Sequence, residues 1–306
     1  MWFKSLRVFR LHSPFTLSAE ALHEALSARP ARPCGSLELF TLGWERPFGR
    51  QGDSFTHAAG GCILVCARRE ERVLPAAVVR DELEYRIEEI EEREGRTLKR
   101  KEKAELKERV FGELLPRAFT RSILIRGYLD PEGGWLVVDA ANAKRAETLV
   151  DLLRETLGSF QVRPLAVQQA PAPIMTSWLE GAGPGAGWVV GDECELRDPL
   201  EEGTVVRCKG MDLGSEEVAN HLKAGKQVAR LALEWQERLG FLLDQDLGVK
   251  RLRFLDLVQD EVAEVETDDA AARLDADFAI MSAEIGRFLP ELAGLFGGME
   301  AEGSKT

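Results

Sequence analysis

The sequence predicts an α+β fold: two mixed α/β sheet domains, with a helical hairpin projecting from the first. Three observations carry this expectation. Short apolar-alternating segments recur at 2–11, 61–68, 122–129 and 134–139, and again beyond residue 188, the period-two pattern of half-buried strands. Between them, 78–115 switches to 3.6-residue spacing. The stretch 168–187, QQAPAPIMTSWLEGAGPGAG, mixes Pro, Ala and Gly around one short helix and reads as a linker. The expected parts are 1–74 with 119–167 as a central domain and 75–118 as its projecting tip. The linker 168–187 leads to 188–306, a C-terminal domain that ends in an acidic helix.

The elements follow in order. Residues 2–11 alternate, with Leu6 and Val8 on one parity and Phe3 and Phe9 on the other. A helix fits 18–27, with Ser18 as N-cap and Leu22 and Leu26 one turn apart. The span 29–60 is rich in Pro and Gly and reads as irregular; GCILVCAR at 61–68 is a strand. In the hairpin, Val79, Leu83, Ile87 and Ile90 form one narrow stripe, and Leu106, Val110 and Leu114 another. Gly95 marks the bend and Pro116 the end. DPEGG joins the strands 122–129 and 134–139 as a turn. A helix at 142–156 is capped near Asn142 and stopped by Gly158, and a strand follows at 160–167. Beyond the linker come strands 188–197 and 204–208, a helix at 215–224, and strands 226–235, 238–244 and 249–255. An amphipathic helix at 270–296 and a disordered tail at 299–306 complete the reading.

A chain of 306 residues with 44% hydrophobic and 30% charged residues has the makeup of a folded protein with a large core. Its longest apolar runs, such as ILVCA at 63–67, are strand-sized and predict no membrane span. MWFKSLRVFRL has charges through its apolar part and reads as a first strand, not a signal peptide. Cys34, Cys62, Cys66, Cys194 and Cys208 are an odd, scattered set, which predicts reduced thiols and a cytoplasmic setting. Cys62 and Cys66 lack the second pair that a zinc site needs. No phosphate-binding loop, nucleophile elbow or HExxH motif occurs, and His12, His23, His57 and His221 are isolated. No cofactor or metal is expected. Asp139, at the end of a strand, is the one carboxylate that a metal-dependent nuclease could use; the plainer reading is a turn residue.

Charge is the most telling feature. The chain carries a formal −12, yet 96–126 holds ten Lys/Arg against four Glu. The segment 80–94 holds eight acids and three bases, and 256–306 thirteen acids and three bases. An acidic protein with its bases gathered in one place can offer a positive surface to a polyanion while the rest repels it. The candidate phosphate contacts are Lys99, Arg100, Lys101, Lys103 and Lys107 on the hairpin, and Arg117 and Arg121 flanking Phe119. Further basic groups are Lys144 with Arg145, Lys223 with Lys226, and Lys250 with Arg251 and Arg253. The competing reading is a solvated helix face with Glu–Lys pairs one turn apart. Phe119 fits a core position, a stacking platform or an anchor in a subunit contact.

The chain resembles the recombination-associated RdgC family. The resemblance rests on MWFKSLRVFRL at the start, ARPCGS at 31–36, ARREERVLP at 67–75, LLPRAFTR at 114–121 and VDAANAKRAETLVDLLRETLGS at 138–159. It continues through DECELRD at 192–198, VVRCKGMDLGSEEVANHLKAGKQVARLALEW at 205–235, VKRLRF at 249–254 and LDADFAIM at 274–281. Their number and order, rather than any catalytic motif, give the match its specificity. The resemblance implies a non-enzymatic, nucleoid-associated protein that binds single- and double-stranded DNA with little sequence preference. It implies a homodimer closed into a ring with a positive lumen, which restrains the RecA recombinase by occupying DNA. In family terms Phe119 falls at the contact that closes the ring, and its partner region maps onto Lys209, Gly210 and Met211. There the family often has a second basic residue and a Gln, so this chain implies a weaker or differently packed gate. Two other readings stay open: a protein-interaction module whose basic hairpin docks an acidic partner, and a nucleic-acid enzyme using Asp139.

Overall fold

The first strand, β1 (Ser5–Leu11), joins two arms of one antiparallel sheet. The computed structural model describes residues 2–49, 52–201, 203–264 and 269–300. The elements after β1 run α1 (Ala19–Ser27), β2 (Phe40–Glu45), β3 (Thr56–Ala59), β4 (Cys62–Val73), α2 (Ala76–Glu94) and α3 (Arg100–Leu114). Next come β5 (Phe119–Asp130), β6 (Trp135–Val138), α4 (Ala143–Leu157), β7 (Val162–Pro164) and α5 (Pro171–Ser177). The chain continues with β8 (Trp188–Arg197), β9 (Val205–Lys209), α6 (Glu216–Lys223), β10 (Gln227–Trp235), β11 (Leu239–Asp244) and β12 (Val249–Phe254). It ends with α7 (Asp256–Ala263) and α8 (Ala270–Gly294). The strand order is β2-β4-β5-β6-β1-β12-β11-β10-β8-β9, with β3 beside β4 and β7 beside β1. The fold is thus mixed α/β around a large antiparallel sheet. The two expected sheets share a strand, because Ser5 and Leu6 pair with Lys250 and Val249 while Arg7–Arg10 pair with β6.

Local chemistry sets most boundaries. The Ser18 hydroxyl accepts from the Ala21 N–H and Asn142 from that of Arg145, capping α1 and α4. Gly95 takes φ +63 at the end of α2, a left-handed position that costs glycine little. The Asp130 carboxylate accepts from the Gly133 N–H at 2.8 Å, fixing the turn into β6. Several expectations change. The irregular span 29–60 contains β2 and β3. The strand placed at 61–68 runs on to Val73, and its partner begins at Phe119. The strand at 160–167 shrinks to three residues, and the unpredicted α7 follows β12. The tail is held at its start, since Val167 bridges Met299 and the Glu300 N–H donates to Ala166; residues 301–306 lie outside the described residues.

Three apolar clusters form. One sheet face buries Phe9, Ile63, Val65, Ile125 and Leu136 under α1 and α4. The hairpin packs on itself through Val79, Leu98, Leu106 and Val110. The largest cluster lies on the other face and draws on both ends of the chain. Phe3, Leu6, Tyr128 and Trp135 meet Phe278, Met281, Ile285 and Phe288 of α8. Phe288 sits 5.1 Å from Phe241 and 5.5 Å from Trp235, ring centre to ring centre. Residues 171–182, inside the expected linker, contribute buried Met175 and Trp178 to the same core.

α8 also clamps the β10–β11 turn. Gln236 and Glu237 both adopt positive φ, the paired left-handed conformation of a tight hairpin, without the Asn or Gly that usually occupies it. Glu291 holds the turn by accepting from Trp235 Nε1 at 2.7 Å and from Gln236. About two helical turns earlier, fully buried Glu284 accepts from Arg238 Nε at 2.7 Å and from Nη2 at 2.9 Å.

Candidate nucleic-acid interface

The arm running from β12 to β9 has one covered face and one bare face. Alternation turns Cys194, Leu196, Cys208, Leu231, Leu243 and Val249 toward the α8 core. Val218 of α6, Val258 of α7 and Met175 of α5 pack on that same side. The opposite parity presents Glu193, Glu195 and Arg197 on β8, Arg207 and Lys209 on β9, Arg230 on β10, and Arg253 on β12. At β12 the alternation breaks. Arg251 takes φ +51 and the β11–β12 register shifts, so neighbours Lys250 and Arg251 both meet carboxylates of this face.

Three carboxylates organise these cations. Asp244 holds Arg7 at 2.7 Å and Lys250 at 2.9 Å. Glu193 holds Arg251 at 2.9 Å, and that guanidinium keeps its carboxyl below the usual range. Glu195 accepts from Arg197, Arg207 and Arg230. Burial pushes its carboxyl up, but the guanidiniums outweigh burial and hold it below the ordinary value. No ion pair holds Lys209 or Arg253 among the described residues. Arg7 is mostly buried and lies over Gly248, where any Cβ would overlap its guanidinium. The face is therefore rich in fixed guanidiniums, and among the described residues no helix stands on it to read bases.

The hairpin spends much of its charge internally. Arg96 pairs with Glu102 at 2.7 Å and with Glu94 at 2.8 Å, holding Glu102 down to about 2. Lys103 pairs with Glu91 at 3.2 Å and Lys101 with Glu105 at 3.9 Å. Lys99 occupies the N-cap position of α3, where its backbone N–H donates to Glu102. Arg100 and Lys107 have no ion pair among the described residues.

At the hairpin's base, Arg72 reaches across and donates to the carbonyls of Leu115, Pro116 and Ala118 at 3.0–3.1 Å. This fixes the 3-10 turn that carries exposed Arg117. Arg121 pairs with Glu71 directly across the ribbon. Phe119, opposite Val73, is 87% exposed, so a core role for it is excluded.

The predicted site residues are not all on one surface. Lys250 and Arg251 share the bare face with Lys209, whose neighbour Gly210 turns at φ +67 and whose Met211 packs on the core. Lys144 and Arg145 are exposed on the first turn of α4, over the smaller core. Lys223 and Lys226 lie at the end of α6, which packs on the α8 side. Sequence reasoning grouped Arg253 with Lys250 and Arg251 but missed Arg197, Arg207, Arg230 and the brace Arg7. Arg207 with Lys209, and Arg251 with Arg253, stand two apart around apolar neighbours, the available signal.

Asp139 accepts from the backbone N–H groups of Lys4 and Ser5, each at 3.0 Å, and so ties the end of β6 to β1. Burial pushes its carboxyl up, opposed by those two donors. Among the described residues, no group of three or more His, Cys, Asp and Glu side chains is placed to hold a metal ion. The five cysteines are free, and burial pushes the Cys62 thiol up to about 11 and Cys66 up to about 12. Among the described residues, no helix is long and apolar enough to cross a membrane.

A family model described as "RdgC: Putative exonuclease, RdgC" matches residues 1–299. Curated relatives bear the name recombination-associated protein RdgC. That of Tolumonas auensis is 45% identical over 303 residues, covering 99% of this chain and 100% of the relative. That of Aeromonas hydrophila is 44% identical over 300 residues, 98% and 99% of the two chains. That of Pseudomonas aeruginosa is 46% identical over 301 residues, 98% of each. With both ends of the fold and the cationic face inside these alignments, the chain belongs to the RdgC family of recombination-associated proteins.

Proposed function

We propose that this protein is a sequence-independent DNA-binding protein for double and single strands, without catalysis of its own. It acts as a homodimeric ring around DNA in the nucleoid and limits RecA-mediated recombination by occupying the substrate. The observation that carries this reading is the bare sheet face, where Lys209, Arg251 and Arg253 stand among fixed guanidiniums with no base-reading element. Such a surface suits phosphate oxygens, which repeat along any sequence. Acidic segments elsewhere favour one orientation of the polyanion. In this reading 1–74 with 119–167 is the body of each subunit, 75–118 its tip, 168–187 the connection, and 188–306 the part bearing the cationic face.

Gel-shift titration with unrelated duplexes at low and moderate salt tests the binding. Affinity should fall linearly on a log–log plot with salt and differ little between sequences. Arg117→Ala/Arg121→Ala should weaken all duplexes about equally; selective loss on one sequence overturns phosphate contact. Failure to bind duplex at low salt would instead favour a module docking an acidic protein. Loss of DNA with added Mg²⁺, abolished by Asp139→Asn, would establish the nuclease reading. Addition of the protein before RecA should slow strand exchange; an unchanged rate with DNA occupied overturns the antagonism.

Phe119 is the proposed gate residue, docking near Lys209, Gly210 and Met211 of a second copy. Its exposure at the start of β5, next to the turn fixed by Arg72, makes it available for such a contact. Phe119→Ala should leave the circular dichroism unchanged, shift sedimentation toward monomer, and shorten retention on closed circular plasmid. Unchanged sedimentation and retention would reject that role.

A further inference from the structure

Glu195 is an unusual residue for a polyanion-binding face. Its carboxylate is 5% exposed, and three arginines from three strands converge on it. Arg197 approaches with Nε at 2.8 Å and Nη2 at 2.7 Å, Arg207 with Nε at 3.1 Å, and Arg230 with Nη1 at 3.0 Å. One negative charge thus gathers three positive ones and leaves the group with an excess of cation. A carboxylate this buried cannot meet a ligand. It can orient the groups that do. Arg207 docks by its Nε edge and is 74% exposed, which leaves its two terminal nitrogens with no partner among the described residues. Arg197 is 48% exposed and Arg230 33%, so the three stand at graded depths around the carboxylate.

Resting on the DNA-binding reading above, we propose that Arg197, Arg207 and Arg230, oriented by Glu195, form a preassembled seat for one phosphodiester of the DNA backbone. Arg207 supplies the outer fork, which matches two oxygens of a tetrahedral anion. Glu195 is a positioning residue. It holds the guanidiniums against their mutual repulsion, so the phosphate meets an arranged site and the arginines lose little freedom on binding. Inorganic phosphate has the same oxygen chemistry and is the rival occupant.

The test turns on a reversal of sign. If the face acts only through its summed charge, Glu195→Gln removes a negative charge and tightens duplex binding. If the seat is real, Glu195→Gln loosens binding about tenfold near 0.1 M salt, and the salt slope drops by about one phosphate. Arg207→Lys keeps the charge but loses the fork, and exposure at the sheet edge spares the fold; it should give the same loss. Tighter or equal binding by Glu195→Gln, or equal binding by Arg207→Lys, overturns the seat while duplex binding by the wild type stands. Absence of wild-type duplex binding instead overturns the DNA reading itself. Competition by millimolar inorganic phosphate should match that of chloride at equal ionic strength. Stronger competition that Arg207→Lys abolishes would assign the seat to free phosphate and overturn the nucleic-acid assignment.

Discussion

The triple variant Lys209→Ala/Arg251→Gly/Arg253→Ala should bind duplex DNA about 10³-fold more weakly near 0.1 M salt. Each phosphate neutralised contributes about 0.9 to the slope of log affinity against log salt, or roughly one decade at that concentration. Three lost contacts therefore cost about three decades and flatten the slope by about three. Glycine replaces Arg251 because that residue sits at φ +51, where glycine adds no strain. The fold should survive, since all three side chains are exposed and none belongs to a core cluster. Filter binding across a salt series measures both quantities. An unchanged slope would place DNA elsewhere, the hairpin being the next surface to test.

The largest stability effect is expected at Glu284. Its fully buried carboxylate takes two hydrogen bonds from Arg238 and forms an ion pair with Arg287 at 3.0 Å. Arg238 is 15% exposed and, among the described residues, keeps only Glu261, at 2.8 Å, when Glu284 is gone. Glu284→Ala should therefore cost about 3–5 kcal/mol, because a charge stays buried without its main counter-ion. The β10–β11 turn, with its two left-handed non-glycine residues, should loosen at the same time. Urea unfolding followed by tryptophan fluorescence reads the loss. Replacing both partners, Arg238→Met with Glu284→Leu, should stay within about 2 kcal/mol of wild type, since the charges left behind, Glu261 and Arg287, are exposed and none stays buried unpaired. Equal damage from the single and double variants would show that packing, not charge pairing, sets the cost.

Strands with one buried face were legible in the sequence, because apolar and polar residues alternate along them. β1, β10 and β12 are of this kind. The second half of β4 was not. In RREERV, Arg68, Glu70 and Arg72 alternate with Arg69, Glu71 and Val73, so neither face carries an apolar signal. Both faces of that ribbon are wet, and only pairing with β5 makes it a strand. β2 and β3 were hidden by the turn residues around them. The cationic face was obscured for another reason. Counting charge along the chain finds the hairpin, whose bases are partly answered by Glu91, Glu102 and Glu105. It understates 193–253, where the acids close in sequence lie beneath the arginines in space. Glu195 is the clearest case: a negative charge in the count, a buried anchor for three cations in the fold.

The meeting of Phe3 with Met281, whose sulfur accepts from the Phe3 N–H at 3.1 Å across 278 residues, sets a timetable for synthesis. At roughly 5–20 residues per second, a ribosome needs on the order of tens of seconds to travel from β1 to α8. Throughout that interval the emerging polypeptide lacks the helix that covers Leu6, Tyr128 and Trp135, and a hydrophobic sheet surface stays open to solvent. Translation, rather than collapse, is then the slow step in maturation. A message truncated before codon 278 yields a product that no refolding protocol can complete.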